Sequence, residues 1–269
     1  MRMATGTFKD HFSGHAADYS RYRPNYPASL FKALAAIAPD LESVWDCATG
    51  NGQAAPGLAE HFARVEATDA SEKQIAAAVP HPKVHYSVAR AEASGLSDHS
   101  VSMVTVAQAL HWFDLPRFYA EVRRVAKPQA MLACWSYMHC RVSPGVDAAM
   151  ARLYEGILGD AYWPPERKHV ENGYRDLPFP FTEMELPAFQ LQMDWTLESY
   201  VGYLRSWSAT QAYIKKNGAD PIQKVGDELL HAWGDPGVVR PVTWALTIKA
   251  GWISRSEEHT SELQSRHNL

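Results

Sequence analysis

The chain is poor in cysteine, with three in 269 residues, at positions 47, 134 and 140. The number is odd and no pair makes C-x-x-C, which argues against a disulfide framework or a cysteine-built metal centre. Two of the three lie in apolar runs, so free buried thiols in a reducing cytoplasm are expected. An excess of one charge is lacking too. Lys and Arg total 26 against 30 Asp and Glu, a formal net charge of −4, and the basic residues are dispersed. Nucleic-acid binding usually shows as a basic patch or stripe, so no nucleic-acid partner is expected. No apolar run approaches the roughly 20 residues of a membrane span, and Met1 to Gly6 lacks the apolar core of a signal peptide. The expectation is a cytoplasmic protein without a membrane partner. His11 and His15 have a metal-compatible spacing, but no third ligand is near them, so no metal is expected. There is no internal repeat. Oligomeric state leaves no mark on the sequence.

What is present is a regular alternation of strand and helix. With 46% hydrophobic residues, the length suits one α/β domain with an insertion. Short strands are expected at 43–46, 65–68, 84–88, 101–106 and 131–137. Helices are expected at 30–37, 52–61, 72–78 and 115–125, the last with Phe118, Val122 and Val125 on one face and Pro128 beyond its end. Strand and helix in turn imply a doubly wound, mostly parallel sheet with helices on both faces. The alternation breaks over 141–182, which holds a helix near 145–158 and then Tyr162-Trp-Pro-Pro165 and Leu177-Pro-Phe-Pro-Phe181. This stretch reads as a cap rich in Pro and aromatics, inserted over the open end of the sheet. A sixth strand over 185–195, helices near 197–216 and 220–233, and a seventh strand over 243–250 complete the sheet.

The most informative segment is Val44-Trp-Asp-Cys-Ala-Thr-Gly-Asn-Gly-Gln53. A strand ends in Asp46 and the chain turns through small residues at 48, 50 and 52, where backbone amides can approach a ligand closely. Asp69 ends the second strand, 23 residues after Asp46. That is close to the roughly 20 that separate a glycine turn from a ribose-binding acid. A dinucleotide fingerprint needs a third small residue at position 53, which is Gln, and an acid before the turn would repel a pyrophosphate. Asp46 suits instead the amino group of a cationic amino-acid moiety, which is the chemistry of S-adenosylmethionine. NAD and a plain strand–turn–helix without ligand remain as the other readings.

These residues carry a family resemblance. Tyr19-Ser-Arg-Tyr-Arg-Pro-Asn-Tyr-Pro27, Asp46 to Gln53, Thr68-Asp-Ala-Ser71, Ala91-Glu92, Ala107-Gln-Ala-Leu-His-Trp-Phe113 and Arg124-Val-Ala-Lys-Pro128 together resemble the class I S-adenosylmethionine-dependent methyltransferases. Within that class the chain is similar to the small-molecule, trans-aconitate methyltransferase-like group (methyltransferase type 11). The resemblance spans nearly all of 8–253. It implies a seven-stranded Rossmann-like core over 1–140 and 183–253, a cap over 141–182, and an N-terminal segment, 8–27, closing over the cofactor. It further implies that Ala48, Gly50, Gly52 and Gln53 lie against the donor's methionine part, with Asp46 beside them. Asp69 would hold the ribose hydroxyls, Ala70 would pack on the adenine, and Ala91 and Glu92 would meet the adenine edge. Gln108 and His111 would lie near the sulfonium, and Tyr19 and Arg23 would reach the donor's carboxylate. The chain departs from the family at Lys127-Pro-Gln-Ala130, where Lys-Pro-Gly-Gly is usual, and at Arg90, where many relatives carry Asp.

Methyl transfer from a sulfonium is a displacement at an activated carbon. The enzyme mainly aligns the reactants and excludes water. The expected function is transfer to a small-molecule acceptor, an oxygen and foremost a carboxylate, ahead of nitrogen. The alternatives are a non-catalytic donor-binding sensor or partner subunit and a nucleotide-dependent oxidoreductase. A base is needed only if the acceptor must lose a proton, and His111 is the candidate. A cofactor-lining or structural histidine is the other reading. Tyr137 is a second candidate facing the acceptor. On the substrate side Trp163, Tyr174, Phe179 and Phe181 could form an apolar lid, and Trp112 is a further substrate-contact candidate. Arg21, Arg167 and Arg175 could clamp a carboxylate in bidentate fashion. For each of these the favoured reading is local cap packing or a solvated charge, and Tyr203 and Trp207, four apart, read as core. Finally, Arg255 to Ser265 looks like the in-frame translation of a sequencing adapter. Residues 254–269 are therefore expected to be non-native and without function.

Overall fold

A computed structural model describes residues 22–253. Tyr19, Arg21, His11, His15, the N-terminal part of segment 8–27 and the tail from 254 lie outside the described residues. Five strands run parallel: β1 (Ser43–Cys47), β2 (Arg64–Asp69), β3 (Val84–Val88), β4 (Val101–Ala107) and β5 (Ala126–Tyr137). β6 (Thr182–Met184), β7 (Gln190–Trp195) and β8 (Arg240–Trp252) complete the sheet, with β8 antiparallel to β5. The order is β3-β2-β1-β4-β5-β8, and β6 and β7 both pair with β8. Thr182 faces Trp252 and Gln190 faces Ala245, a one-residue change of register, so the two short strands lie end to end along one edge of β8. The sheet is thus the expected mostly parallel one of seven positions, with the seventh broken in two. Pro187 lies at the break, where it can donate no ladder hydrogen bond. One continuous strand over 185–195 was expected there.

Side-chain alternation builds the core on both faces. On β1, β4 and β5 the residues Trp45, Cys47, Val104, Val106, Leu132 and Cys134 point to one face. Val44, Met103, Met131, Ala133 and Trp135 point to the other. Helix α1 (Ala28–Ile37) covers the second face with Leu30, Phe31 and Leu34. α2 (Ala55–Ala59) lies on the same face. It is shorter than the helix expected over 52–61, because the glycine turn uses residues up to Ala54 and Pro56 occupies the first turn. α3 (Glu72–Ala76) is capped by the Ser71 hydroxyl. α4 (Leu115–Val125) covers the first face with Phe118, Val122 and Val125, and Asp114 caps it by accepting from Arg117 N.

Beyond β5 the chain forms a helical layer: α5 (Pro144–Ala151), a π-helical stretch over Arg152–Leu158, α6 (Gly159–Tyr162) and α7 (Arg167–Glu171). After β7 follow α8 (Leu197–Arg205), α9 (Ser208–Asn217) and α10 (Gly226–Trp233). Tyr154, Tyr200, Tyr203, Trp207, Trp233 and Trp244 form one aromatic cluster that joins α5, α8 and α10 to the outer strands. The segment 141–171 therefore packs with 197–233. Phe179 and Phe181, expected in an acceptor lid, turn away and pack edge-on against Tyr119 of α4. All three cysteines are free and buried. Among the described residues no helix is long and apolar enough to cross a membrane, and no cluster of side chains could hold a metal ion.

Candidate functional site

The chain leaves β1 for β2 on one side and later returns to place β4 on the other. The carboxyl ends of β1 and β4 therefore flank the switch point, where open α/β sheets bind ligands. Just past β1 the backbone turns through three left-handed residues, Ala48 (φ +56), Gly50 (φ +59) and Gly52 (φ +87). A Cβ on Gly52 would sit 2.4 Å from the Tyr86 hydroxyl on β3, so only glycine fits beneath that ring. Asp46 lies under the turn, fully buried. Its Oδ2 accepts from Thr49 Oγ1 (2.5 Å) and its Oδ1 from Thr105 Oγ1 of β4 (3.0 Å). Burial raises its pKa to about 6 against the pull of the two hydroxyls, with Asp69 adding a like-charge push. The expectation put Asp46 beside the donor's amino group. Here its carboxyl faces two hydroxyls and braces the turn from below.

Asp69 ends β2 and is half-buried. One carboxylate oxygen accepts from Gly50 N (2.9 Å) and the other from Ser71 N (2.8 Å). It thereby fixes the glycine turn relative to β2. The two amides orient the carboxylate at the strand end. Ala70 follows it, half-buried. The loop after β3 carries Ala91 and Glu92, and Glu92 accepts from Asp114 N at the start of α4 (3.1 Å). Glu121 of α4 holds the same loop by accepting from both the amide and the hydroxyl of Ser94 (2.7 and 2.6 Å). The Arg124 guanidinium bonded to Glu121 helps hold its pKa down to about 2.

β4 is followed by Gln108, also left-handed (φ +57), whose side-chain amide donates to Tyr137 O (3.0 Å) and ties the end of β4 to β5. His111 follows in a single 3-10 turn, Leu110–Trp112. Its ring packs 4.6 Å from Trp112, and its Nδ1 lies 3.0 Å from the hydroxyl of Tyr174. Burial, then the positive charges of Arg167 and His169, push its pKa down to about 3. The imidazole is therefore neutral at ordinary pH. These residues open onto a solvent-connected cleft.

Seven of the residues expected from the sequence line that cleft: Arg23, Gln108, His111, Trp112, Tyr137, Trp163 and Arg167. The glycine turn, Asp69, Ala70, Ala91 and Glu92 lie on the neighbouring strand ends instead. Tyr174 does not line the cleft. It is fully buried behind His111. Arg175 is turned outward and bonds to Asn172 O. Met138, Pro164, Tyr203, Trp207 and Ser208 line the cleft without having been expected there. Tyr203 and Trp207 are indeed core residues, but the edges of their rings form a wall. Arg167 is held by Tyr154, whose hydroxyl accepts from its Nε (3.1 Å) and donates to Glu171. The guanidinium also lies over the rings of Trp163 (5.0 Å) and Tyr154 (5.7 Å). Among the described residues no carboxylate pairs with it. Arg23 stands across the cleft, bonded to Ser206 O (3.3 Å) and 5.7 Å from the Tyr203 ring.

A family model described as a methyltransferase domain matches residues 45–134, which run from β1 into β5. A protein of Dictyostelium discoideum described as a methyltransferase is 32% identical over 229 residues, 84% of this chain and 87% of that one. A Saccharomyces cerevisiae protein described as an S-adenosylmethionine-dependent methyltransferase is 27% identical over 132 residues, 46% of this chain and 45% of that one. Among solved structures, one described as a type II methyltransferase from Anaeromyxobacter dehalogenans has a TM-score of 0.82 at 48% identity. It covers 87% of this chain and 100% of that one.

Proposed function

Because this chain belongs to the class I S-adenosylmethionine-dependent methyltransferases, we propose that it methylates a small molecule seated in the cleft between the ends of β4 and β5 and the helical cap. S-adenosylmethionine is its cofactor. The donor site is read as the three left-handed residues 48, 50 and 52 with Gln53, the Asp69 carboxylate, Ala70, Ala91 and Glu92. Gln108 and His111 lie on the side toward the acceptor, Arg23 closes that side, and Tyr19 precedes it in the chain. The fit is physical. A turn in which a Cβ at Gly52 would strike Tyr86 keeps the backbone bare, and two backbone amides orient the Asp69 carboxylate at the strand end beside it. When bound, the sulfonium supplies an already activated methyl carbon. The protein's part is to align the acceptor and exclude water.

One observation carries the choice of acceptor. Arg167 faces the cleft with a tyrosine hydroxyl and two ring faces for partners and no carboxylate. A guanidinium without a counter-ion in a half-buried cleft recruits an anion, and its fork matches a carboxylate. An amine acceptor would meet this cation as a like charge. The reading is therefore an oxygen acceptor, a carboxylate before a nitrogen, with Trp112, Trp163 and Tyr137 as walls. The cap is read as 141–182 together with the helices of 197–233 that share its core, the remainder of 1–140 and 183–253 as the catalytic core, and the protein as cytoplasmic. The test is a methylation assay on carboxylic acids and amines of similar shape, with binding of S-adenosylhomocysteine followed by calorimetry. Arg167→Met should leave product binding intact and raise KM for acids. Turnover of amines alone would refute the acceptor class.

A further inference from the structure

A buried hydroxyl stands behind His111. Tyr174, from the loop after α7, is fully enclosed and reaches His111 Nδ1 at 3.0 Å. Ser136 of β5 is buried too, but its Oγ makes no hydrogen bond among the described residues and so offers Tyr174 no acceptor. The hydroxyl proton of Tyr174 has two possible arrangements. In the first, Tyr174 donates to Nδ1, and the imidazole proton sits on Nε2. In the second, Nδ1–H donates to the Tyr174 oxygen, and the hydroxyl proton is stranded in the core. A stranded buried donor is disfavoured over a satisfied one.

We propose that Tyr174 is a positioning residue that locks His111 as the Nε2–H tautomer, so that the ring offers the cleft a hydrogen-bond donor rather than a proton acceptor. The inference rests on the proposed methyl transfer in this cleft, and it narrows the acceptor. A neutral hydroxyl or an ammonium would need a base, and this ring has its basic lone pair committed to Tyr174. An ionised oxygen needs none: it accepts the Nε2–H bond with one lone pair and attacks with another. The groups facing the ring agree. Arg167 and His169 of α7 are cationic or neutral, Trp112 is neutral, and burial keeps Tyr174 protonated.

The tautomer can be read directly. Long-range proton–nitrogen spectra of histidine rings are recorded on the uniformly labelled full chain, with and without S-adenosylhomocysteine, and the His111 signals are assigned by their loss in His111→Gln. The expected result is a protonated Nε2 and an unprotonated Nδ1, unchanged across the neutral pH range. Tyr174→Phe should collapse the two signals toward a tautomer mixture. A wild-type ring protonated on Nδ1, or one that titrates near neutrality, would overturn the proposal by itself, whatever becomes of the variant. A Tyr174→Phe ring that keeps the pure Nε2–H pattern would remove Tyr174 from the role. Product binding is read in the same samples. Failure to bind S-adenosylhomocysteine would strike the proposed function while leaving the tautomer result to stand or fall alone.

Discussion

Gly52→Ala concentrates the logic of the donor site in one methyl group. The residue sits at φ +87, and its new Cβ would lie 2.4 Å from the Tyr86 hydroxyl and 3.0 Å from two carbons of the same ring. The left-handed backbone costs an L-residue about 1–2 kcal/mol. Forcing a methyl into occupied space costs roughly 1–3 kcal/mol more. At roughly 2–4 °C per kcal/mol for a domain of this size, the melting midpoint should fall on the order of 10 °C. The same displacement moves the turn whose Gly50 amide bonds to Asp69. The stabilisation given by saturating S-adenosylhomocysteine, about 2.7 kcal/mol at a hundredfold excess over Kd, should therefore shrink as well. Tyr86→Phe separates the two costs. It removes the 2.4 Å contact and leaves the ring carbons and the φ strain. The double variant should thus recover part of the midpoint lost by Gly52→Ala. The assay is thermal unfolding of the four proteins with and without ligand. A Gly52→Ala protein with a wild-type midpoint and an undiminished ligand shift would refute this account of the turn. A double variant no more stable than the single one would refute the assignment of the clash to Tyr86.

Asp69→Ala removes the acceptor of two backbone amides at 2.9 and 2.8 Å. It should abolish the thermal shift given by S-adenosylhomocysteine while the unliganded protein still unfolds cooperatively. Glu121→Gln keeps the shape but loses the charge that holds Ser94 and Arg124. It should weaken S-adenosylhomocysteine about 3–10-fold by calorimetry, because charge-assisted bonds are worth roughly twice neutral ones. Acid unfolding should show two opposed contributions. Glu121 is depressed from 4.5 to about 2, so its stabilisation is complete above its unfolded pKa and is lost as pH falls toward 2. Asp46 is raised from 3.8 to about 6, so its contribution is greatest below 3.8 and falls as pH rises to 6. Denaturant midpoints against pH should therefore lose their decline between pH 4 and 6 in Asp46→Asn, and a decline that persists would exonerate Asp46.

The parallel core was legible because its signals are local. Strands β1 to β4 and α4 are short apolar runs and an amphipathic face, and their limits agree with the sequence to within about a residue. The outer sheet was harder. β6 and β7 depend on where Pro187 interrupts pairing with β8, and pairing between residues so far apart in the chain, from Thr182 with Trp252 to Trp195 with Arg240, leaves no local trace. The first residues of β5 show the same limit. Gln129 takes a left-handed φ of +63 there with no glycine to signal it. In the site, strand-end residues such as Asp69, Gln108 and His111 announce themselves by position after an apolar run. The cap does not. Trp163 and Arg167 came forward as one reading among several. Tyr203 and Trp207 read as core, and they are buried, yet their edges line the cleft. Spacing of four on a helix tells that two side chains share a face, and tells nothing of whether the far edge of that face is open. The part played by Tyr174 was the least legible, since it depends on a hydroxyl meeting a ring 63 residues earlier in the chain.

The charges of the two halves of the site are opposed, and the opposition follows from which elements supply them. Asp46, Asp69 and Glu92 stand at the ends of β1, β2 and the loop after β3. Arg23 and Arg167 come from the segment before α1 and from the cap. Between them stands His111, neutral because burial and Arg167 oppose its protonation. On the proposed chemistry a cationic donor would be drawn to the sheet side and an anionic acceptor to the cap side, and their own attraction would favour the approach. After such a transfer the sulfur would be neutral and the methylated oxygen would have lost its charge, so both attractions would weaken together. On this reasoning the same residues that gather the reactants also favour release of the products. Arg167→Met should therefore slow acceptor capture far more than it slows product departure. A pre-steady-state burst that appears in the wild type and vanishes in the variant would agree with weakened capture. A burst that grows larger in the variant would mean that Arg167 serves release instead, and the charge argument would fail.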